Sequence, residues 1–164
     1  MKNITVIGAG TMGNGIAHCL AQKGFEVYLI DLSEASLKAA KEKIKNNLDR
    51  MIKKQIITEK EKNNTMSRIF FDTKLEKYVK NSQLVIEAAT EEKEIKINIF
   101  KELDYLCNND TILATNTSSI SIKEIGLATK RRDKVIGMHF MNPVPIMKLV
   151  EVIKSEHTSV DTTD

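Results

Sequence analysis

Two residues of this sequence have the types and positions that proton transfer requires. His139 and Glu151 lie 12 positions apart. His139 closes one apolar run, and Glu151 lies inside another, Met147-Lys148-Leu149-Val150-Glu151-Val152. Imidazole changes charge near neutral pH, so a histidine at a strand end is a candidate proton carrier. A carboxylate on an apolar strand is costly unless it is paired. A His139–Glu151 pair would remove that cost and raise the basicity of the ring. More polar residues gather at strand ends in the same half: Asn116-Thr117-Ser118-Ser119, Asn142 and Glu91. Open α/β sheets bind ligands at the carboxyl ends of their strands, which makes these candidate site residues. Of the other two histidines, His18 falls inside a helical pattern, where packing or solvent exposure is expected. His157 falls in a polar tail.

A second constellation lies near the N-terminus. Gly8-Ala9-Gly10-Thr11-Met12-Gly13 fits GxGxxG and sits between a strand pattern and a helix pattern, the context that gives the motif meaning. Gly8 permits a tight turn, Gly10 admits a pyrophosphate close to the backbone, and Gly13 lets the helix pack on the strand. Phosphates then meet the free N–H groups and positive dipole end of the helix, so Gly8, Gly10, Thr11, Met12 and Gly13 are candidate cofactor-binding residues. Asp31 ends the next strand, where its carboxylate can accept hydrogen bonds from the adenosine ribose. It would repel a 2′-phosphate, and Leu32-Ser33 offers no arginine to hold one, so NAD is expected rather than NADP.

The elements that must carry these groups follow from periodicity. Asn3 to Ile7 reads as a buried strand, Thr11 to Lys23 as a helix stopped by Gly24, and Phe25 to Ile30 as a parallel partner strand. Ser33 caps a long helix with Leu37, Ala40, Ile44 and Leu48 on one stripe. Thr58-Glu59-Lys60-Glu61 fits a capping box for a second helix. This hairpin, about 33–68, is inserted after the second strand. Its polarity predicts that it projects from the domain. Strand patterns follow at Ile69–Phe71, Leu84–Ala88, Thr111–Thr115, Val135–His139 and Leu149–Ile153, with helices at Glu91–Leu106 and up to Leu127. The fold class is therefore α/β: a Rossmann-type, doubly wound, mostly parallel sheet with an inserted helical hairpin.

Composition narrows the function classes. The sequence has 164 residues, 41% hydrophobic and 29% charged, with net charge +3. That describes an ordinary globular chain. The charge is too mild for nucleic acid, and Lys53-Lys54 and Lys130-Arg131-Arg132 read as solvated faces. No apolar run spans a bilayer, no metal-type spacing appears, and Cys19 and Cys107 read as free thiols. With a strand pattern starting near residue 3 there is no room for a signal peptide, so cytoplasm is the expected compartment.

Four segments in this order, Ile7–Gly13, Ala114-Thr115-Asn116-Thr117-Ser118-Ser119, Gly137-Met138-His139-Phe140-Met141-Asn142-Pro143 and Met147–Val152, resemble the L-3-hydroxyacyl-CoA dehydrogenase family. The resemblance runs over nearly the whole chain. Met141 stands where that family usually has Phe. The resemblance implies that NAD is the cofactor and that His139 is the general base, oriented by Glu151. Ser118 would bond the substrate oxygen, and Asn116 and Asn142 would line the nicotinamide and substrate region. Glu91 and Lys96 match positions near the cofactor ribose, and Lys54 with Arg50 would face the phosphates of an acyl-CoA substrate. It also implies a boundary near residue 154, with 155–164 beginning a linker to a second, helical domain that carries the family's dimer interface. The chain is accordingly expected to be a shortened form that binds NAD with little turnover. Two alternatives compete: a non-catalytic NAD-binding module, and a related dehydrogenase of free hydroxy acids.

Overall fold

The computed structural model describes residues 2–164. Short β-branched runs form strands β1 (Asn3–Ile7), β2 (Glu26–Ile30), β3 (Ile69–Asp72), β4 (Leu84–Glu87), β5 (Ile112–Thr115), β6 (Val135–Phe140) and β7 (Val150–Ile153). They lie in one sheet in the order β3-β2-β1-β4-β5-β6-β7. All pairings are parallel except β6 with β7. Helices α1 (Thr11–Gln22), α2 (Glu34–Lys53), α3 (Glu59–Ser67), α4 (Glu76–Val79), α5 (Lys93–Leu106), α6 (Ile122–Leu127) and α7 (Val160–Thr163) connect or flank them. The strand order reverses between β1 and β4, where crossovers leave in opposite directions and a crevice opens.

Strand alternation divides the apolar residues between two layers. Leu84 and Ile86 join a core with Ile4, Val6, Leu29 and helix α1. Val85 joins the opposite core with Leu113, Phe100 and Ile125. Both faces are thus covered, as a parallel sheet requires.

The helical hairpin forms as its caps predict. Ser33 Oγ accepts from Ser36 N, and Thr58 and Glu61 form a reciprocal capping box. It does not project, however. Leu37, Ala40, Ile44 and Leu48 are buried in the main core against α1, with Met51 and Met66 packed beside them. A stripe one residue wide per turn is enough to dock a helix. Each buried Leu or Ile contributes about 1.5–3 kcal/mol.

Other sequence expectations also change. Arg131 is not on a solvated face: it is buried, and its guanidinium bonds Asp104 Oδ1 at 2.8 Å and the carbonyls of Asp104, Cys107 and Asn108. It thereby satisfies the open carbonyl end of α5. The residues after Lys154 are docked: Thr158 Oγ1 donates to Val135 O at 2.8 Å and Ser159 N to Asp133 O at 2.9 Å, leading into α7. Strand β7 is exposed along its length, so its apolar pattern does not mark burial. No helix among the described residues is long and apolar enough to cross a membrane.

His18 packs, with no solvent exposure and, among the described residues, no hydrogen-bond partner on either ring nitrogen. Burial pushes its pKa down from 6.5 to about 4. Between these values the unfolded chain binds a proton that the folded chain refuses. The neutral ring's stability contribution is therefore complete above pH 6.5 and is lost as pH falls toward 4. The loss should reach about 2 kcal/mol at pH 5. Urea midpoints measured at pH 7 and pH 5 should show it in the native chain. A His18→Leu variant should lack that part of the pH dependence.

Candidate active site

The glycine loop is fixed by backbone contacts. Gly8 has φ +97° and its N–H donates to Ile30 O at 2.7 Å. A Cβ on Gly13 would lie 1.7 Å from Gly8 O, so α1 reaches the strand end only because residue 13 has none. A Cβ on Gly10 would meet nothing within 4 Å, which leaves the open approach that a phosphate needs. Asp31 does more than end β2: Oδ2 accepts from Ala9 N at 2.7 Å and Oδ1 from Ser33 N at 2.9 Å. It braces the loop and still lines the cleft. Gly8, Gly10, Thr11, Met12 and Asp31 share one cavity of about 680 Å³ at the sheet's switch point. The residues present therefore fit a dinucleotide's adenosine and pyrophosphate.

A second cavity of about 330 Å³ adjoins it through Met12, Ala88 and Ala89. Glu91, Lys96, Asn116, Ser118, His139 and Asn142 line it, so candidates spread over fifty residues of sequence come together. His139 and Glu151 are cross-strand partners on β6 and β7, with Nδ1 and Oε2 2.8 Å apart. Nε2 has no partner among the described residues. Glu151 is half exposed, so the pair does not offset the burial cost expected from sequence; it orients a ring at the rim of a cleft. Asn116 Oδ1 accepts from Phe140 N at 2.9 Å and ties the end of β5 to β6.

Glu91 organises the loop after β5. Its Oε1 accepts from Thr117 Oγ1, from Ser118 N at 3.1 Å and from Ser119 N at 3.3 Å. Partial burial pushes its pKa up, but the hydroxyls of Thr117 and Ser119 and the Lys96 ammonium together hold it below the ordinary carboxylate value. Lys96 lines the cavity but is almost wholly buried, its ammonium 2.7 Å from Glu87. Removing one partner of such a pair costs about 3–5 kcal/mol. Glu87 was not singled out from sequence; its only signal is a charge closing the apolar run Leu84-Val85-Ile86. Arg50 and Lys54 are exposed at the C-terminal end of α2 and line neither cavity.

Comparison with known proteins matches this geometry. Residues 3–164 match the family described as 3-hydroxyacyl-CoA dehydrogenase, NAD binding domain. A 3-hydroxybutyryl-CoA dehydrogenase of Bradyrhizobium diazoefficiens is 47% identical over 94% of this chain and 52% of its own length. One from Clostridioides difficile is 46% identical over 98% of this chain and 57% of its own. The crystal structure of (S)-3-hydroxybutyryl-CoA dehydrogenase from Ralstonia eutropha superposes with a TM-score of 0.96 at 42% identity, covering 99% of this chain and 57% of that one. The chain thus spans about half the length of the curated relatives it matches.

The backbone contact between Gly13 and Gly8 gives a direct test. Gly13→Ala should push α1 off the strand end, lowering stability by about 3 kcal/mol or more in urea titration. NADH binding by calorimetry should be lost with it.

Proposed function

The chain belongs to the 3-hydroxyacyl-CoA dehydrogenase family through its NAD-binding domain, and on that premise we propose that it serves the NAD-dependent oxidation of an L-3-hydroxyacyl-CoA, of the 3-hydroxybutyryl type, to the 3-ketoacyl-CoA, and the reverse. The observation that carries this reading is the 2.8 Å His139–Glu151 pair. It stands at a cavity with Asn116, Ser118 and Asn142, next to the glycine-loop cleft.

NAD, which the glycine loop and Asp31 would hold, would supply the hydride acceptor for C3 of the substrate. The protein's own residues handle the proton and the geometry. His139 Nε2 takes the proton of the 3-hydroxyl as the carbonyl forms. Glu151 keeps Nδ1 protonated, so that Nε2 carries the lone pair, and it stabilises the imidazolium that results. In the reverse direction that imidazolium returns the proton to the oxygen. Ser118, on the loop held by Glu91, donates its hydroxyl to the substrate oxygen. Asn116 and Asn142 border the nicotinamide. Glu91 and Lys96 shape the floor beside the cofactor ribose. The CoA phosphates are assigned to Lys54 and Arg50, whose exposed charges stand at the end of α2 with no carboxylate partner among the described residues. The domain itself is taken as 1–154, with 155–164 packed back against the start of β6.

In a protein carrying this chain, His139→Gln should reduce acetoacetyl-CoA-dependent NADH oxidation by a hundredfold or more, roughly the worth of a general base. NADH affinity should stay within about twofold, because the adenosine half of the cleft is untouched. A variant that keeps its turnover would overturn the assignment and leave a binding module. Arg50→Glu with Lys54→Glu should raise KM for acetoacetyl-CoA and abolish competition by free CoA, with the Kd for NADH unchanged. Indifference of the native protein to CoA would favour a free hydroxy acid instead.

A further inference from the structure

A polar cluster beneath the second cavity has no part in the proton and hydride chemistry. Glu87 ends β4 and is fully buried, yet its carboxylate is saturated. It accepts from Lys96 Nζ at 2.7 and 3.0 Å, from Thr115 Oγ1 at 2.7 Å and from Ala89 N at 2.7 Å. The same ammonium lies 3.3 Å from Glu91 Oε2 and 3.5 Å from Ala89 O. Glu91 in turn holds the 117–119 loop through its other oxygen. A continuous series of contacts therefore links a sealed carboxylate to the loop that carries Ser118. The main chain runs in parallel with it, since Asn116 N donates to Glu87 O at 2.8 Å.

Two carboxylates compete for one ammonium in this arrangement. Glu87 holds the closer place because its site is dry, where an opposite charge counts for more. That leaves Glu91 Oε1 to the backbone amides of Ser118 and Ser119. With the charge on Glu87 removed, Glu91 becomes the only anion near a buried ammonium and is drawn off the loop. We propose that Glu87 is a positioning residue for the nicotinamide side of the cleft: it fixes Lys96, so that Glu91 stays on the 117–119 loop and Ser118 and Asn116 stand in register with His139. This rests on the reading of the second cavity as the nicotinamide and substrate side.

The test uses two nucleotides. On that reading NADH would span both cavities, whereas ADP would reach only the glycine-loop one. Glu87→Gln keeps the size and removes the charge. It should weaken NADH binding roughly tenfold by calorimetry, the scale of one charge-assisted hydrogen bond. ADP affinity should stay within about twofold, because the glycine loop is untouched. The amide NMR signals of Ser118 and Ser119 should move. Adding Lys96→Met replaces the pair with uncharged residues of similar volume and frees Glu91 from the ammonium. The double variant should bring the Ser118 and Ser119 amide signals back toward their native positions.

The proposal is overturned by equal losses for NADH and ADP in the single variant, by unchanged NADH binding, or by a double variant whose Ser118 and Ser119 signals stay where the single variant puts them. Should Glu87→Gln fail to fold, the double variant decides alone: near-native Ser118 and Ser119 amide signals support the proposal and displaced signals overturn it. A native chain that binds ADP no worse than NADH would sink the reading of the second cavity itself, a result separable from any of these.

Discussion

Everything in the cleft depends on one contact between main chains. A helix N-terminus can serve a pyrophosphate only if it is brought to the end of a strand, and side chains normally keep helix and strand apart. At Gly13 the separation is gone: the carbonyl of Gly8 occupies the space a methyl group would fill. The adjoining turn is then set by the positive φ of Gly8 and braced by Asp31 from the neighbouring strand. The position of α1 decides where Met12 stands, and Met12 belongs to both cavities. His139 and Glu151 thus inherit their distance from the cofactor cleft from a contact that involves neither of them.

The second half of the site is held differently, by charge rather than by steric fit. Glu87, Lys96 and Glu91 form a line of alternating sign that rises from the core to the rim, from no exposure at Glu87 to 42% at the Glu91 side chain. Apolar residues could fill the lower positions at similar stability. They could not direct a carboxylate toward three consecutive groups of an exposed loop.

Much of this was legible in the sequence, for reasons that can be named. The glycine loop, its strand and helix, and Asp31 are coded within thirty residues, where spacing alone places each group. The His139–Glu151 pair was legible because a histidine at a strand end and a charge on an apolar run each ask for a partner. Glu87 and Thr115 were not. Each looks like the ordinary last residue of a strand, and only the parallel register of β4 and β5 makes them neighbours. Arg131 was hidden in a basic triplet that resembles a solvated face, since composition does not show which of three cations turns inward. The docking of α2 was missed because an average over its polar residues conceals a narrow apolar stripe. Helix α4 is four residues long, too short for any period to register.

Strand β7 runs against the direction of every other strand and forms an exposed edge. Glu151 meets His139 because the two are opposed residues of a ladder, not because a loop delivers one to the other. Side chains alternate along a strand, so a slip of one residue would turn Glu151 to the opposite face and leave the imidazole without its acceptor. The His–Glu distance is therefore a gauge of strand registry. A chain that closed its sheet one step out of place would keep its secondary structure, keep its nucleotide cleft, and lose its His139–Glu151 pair.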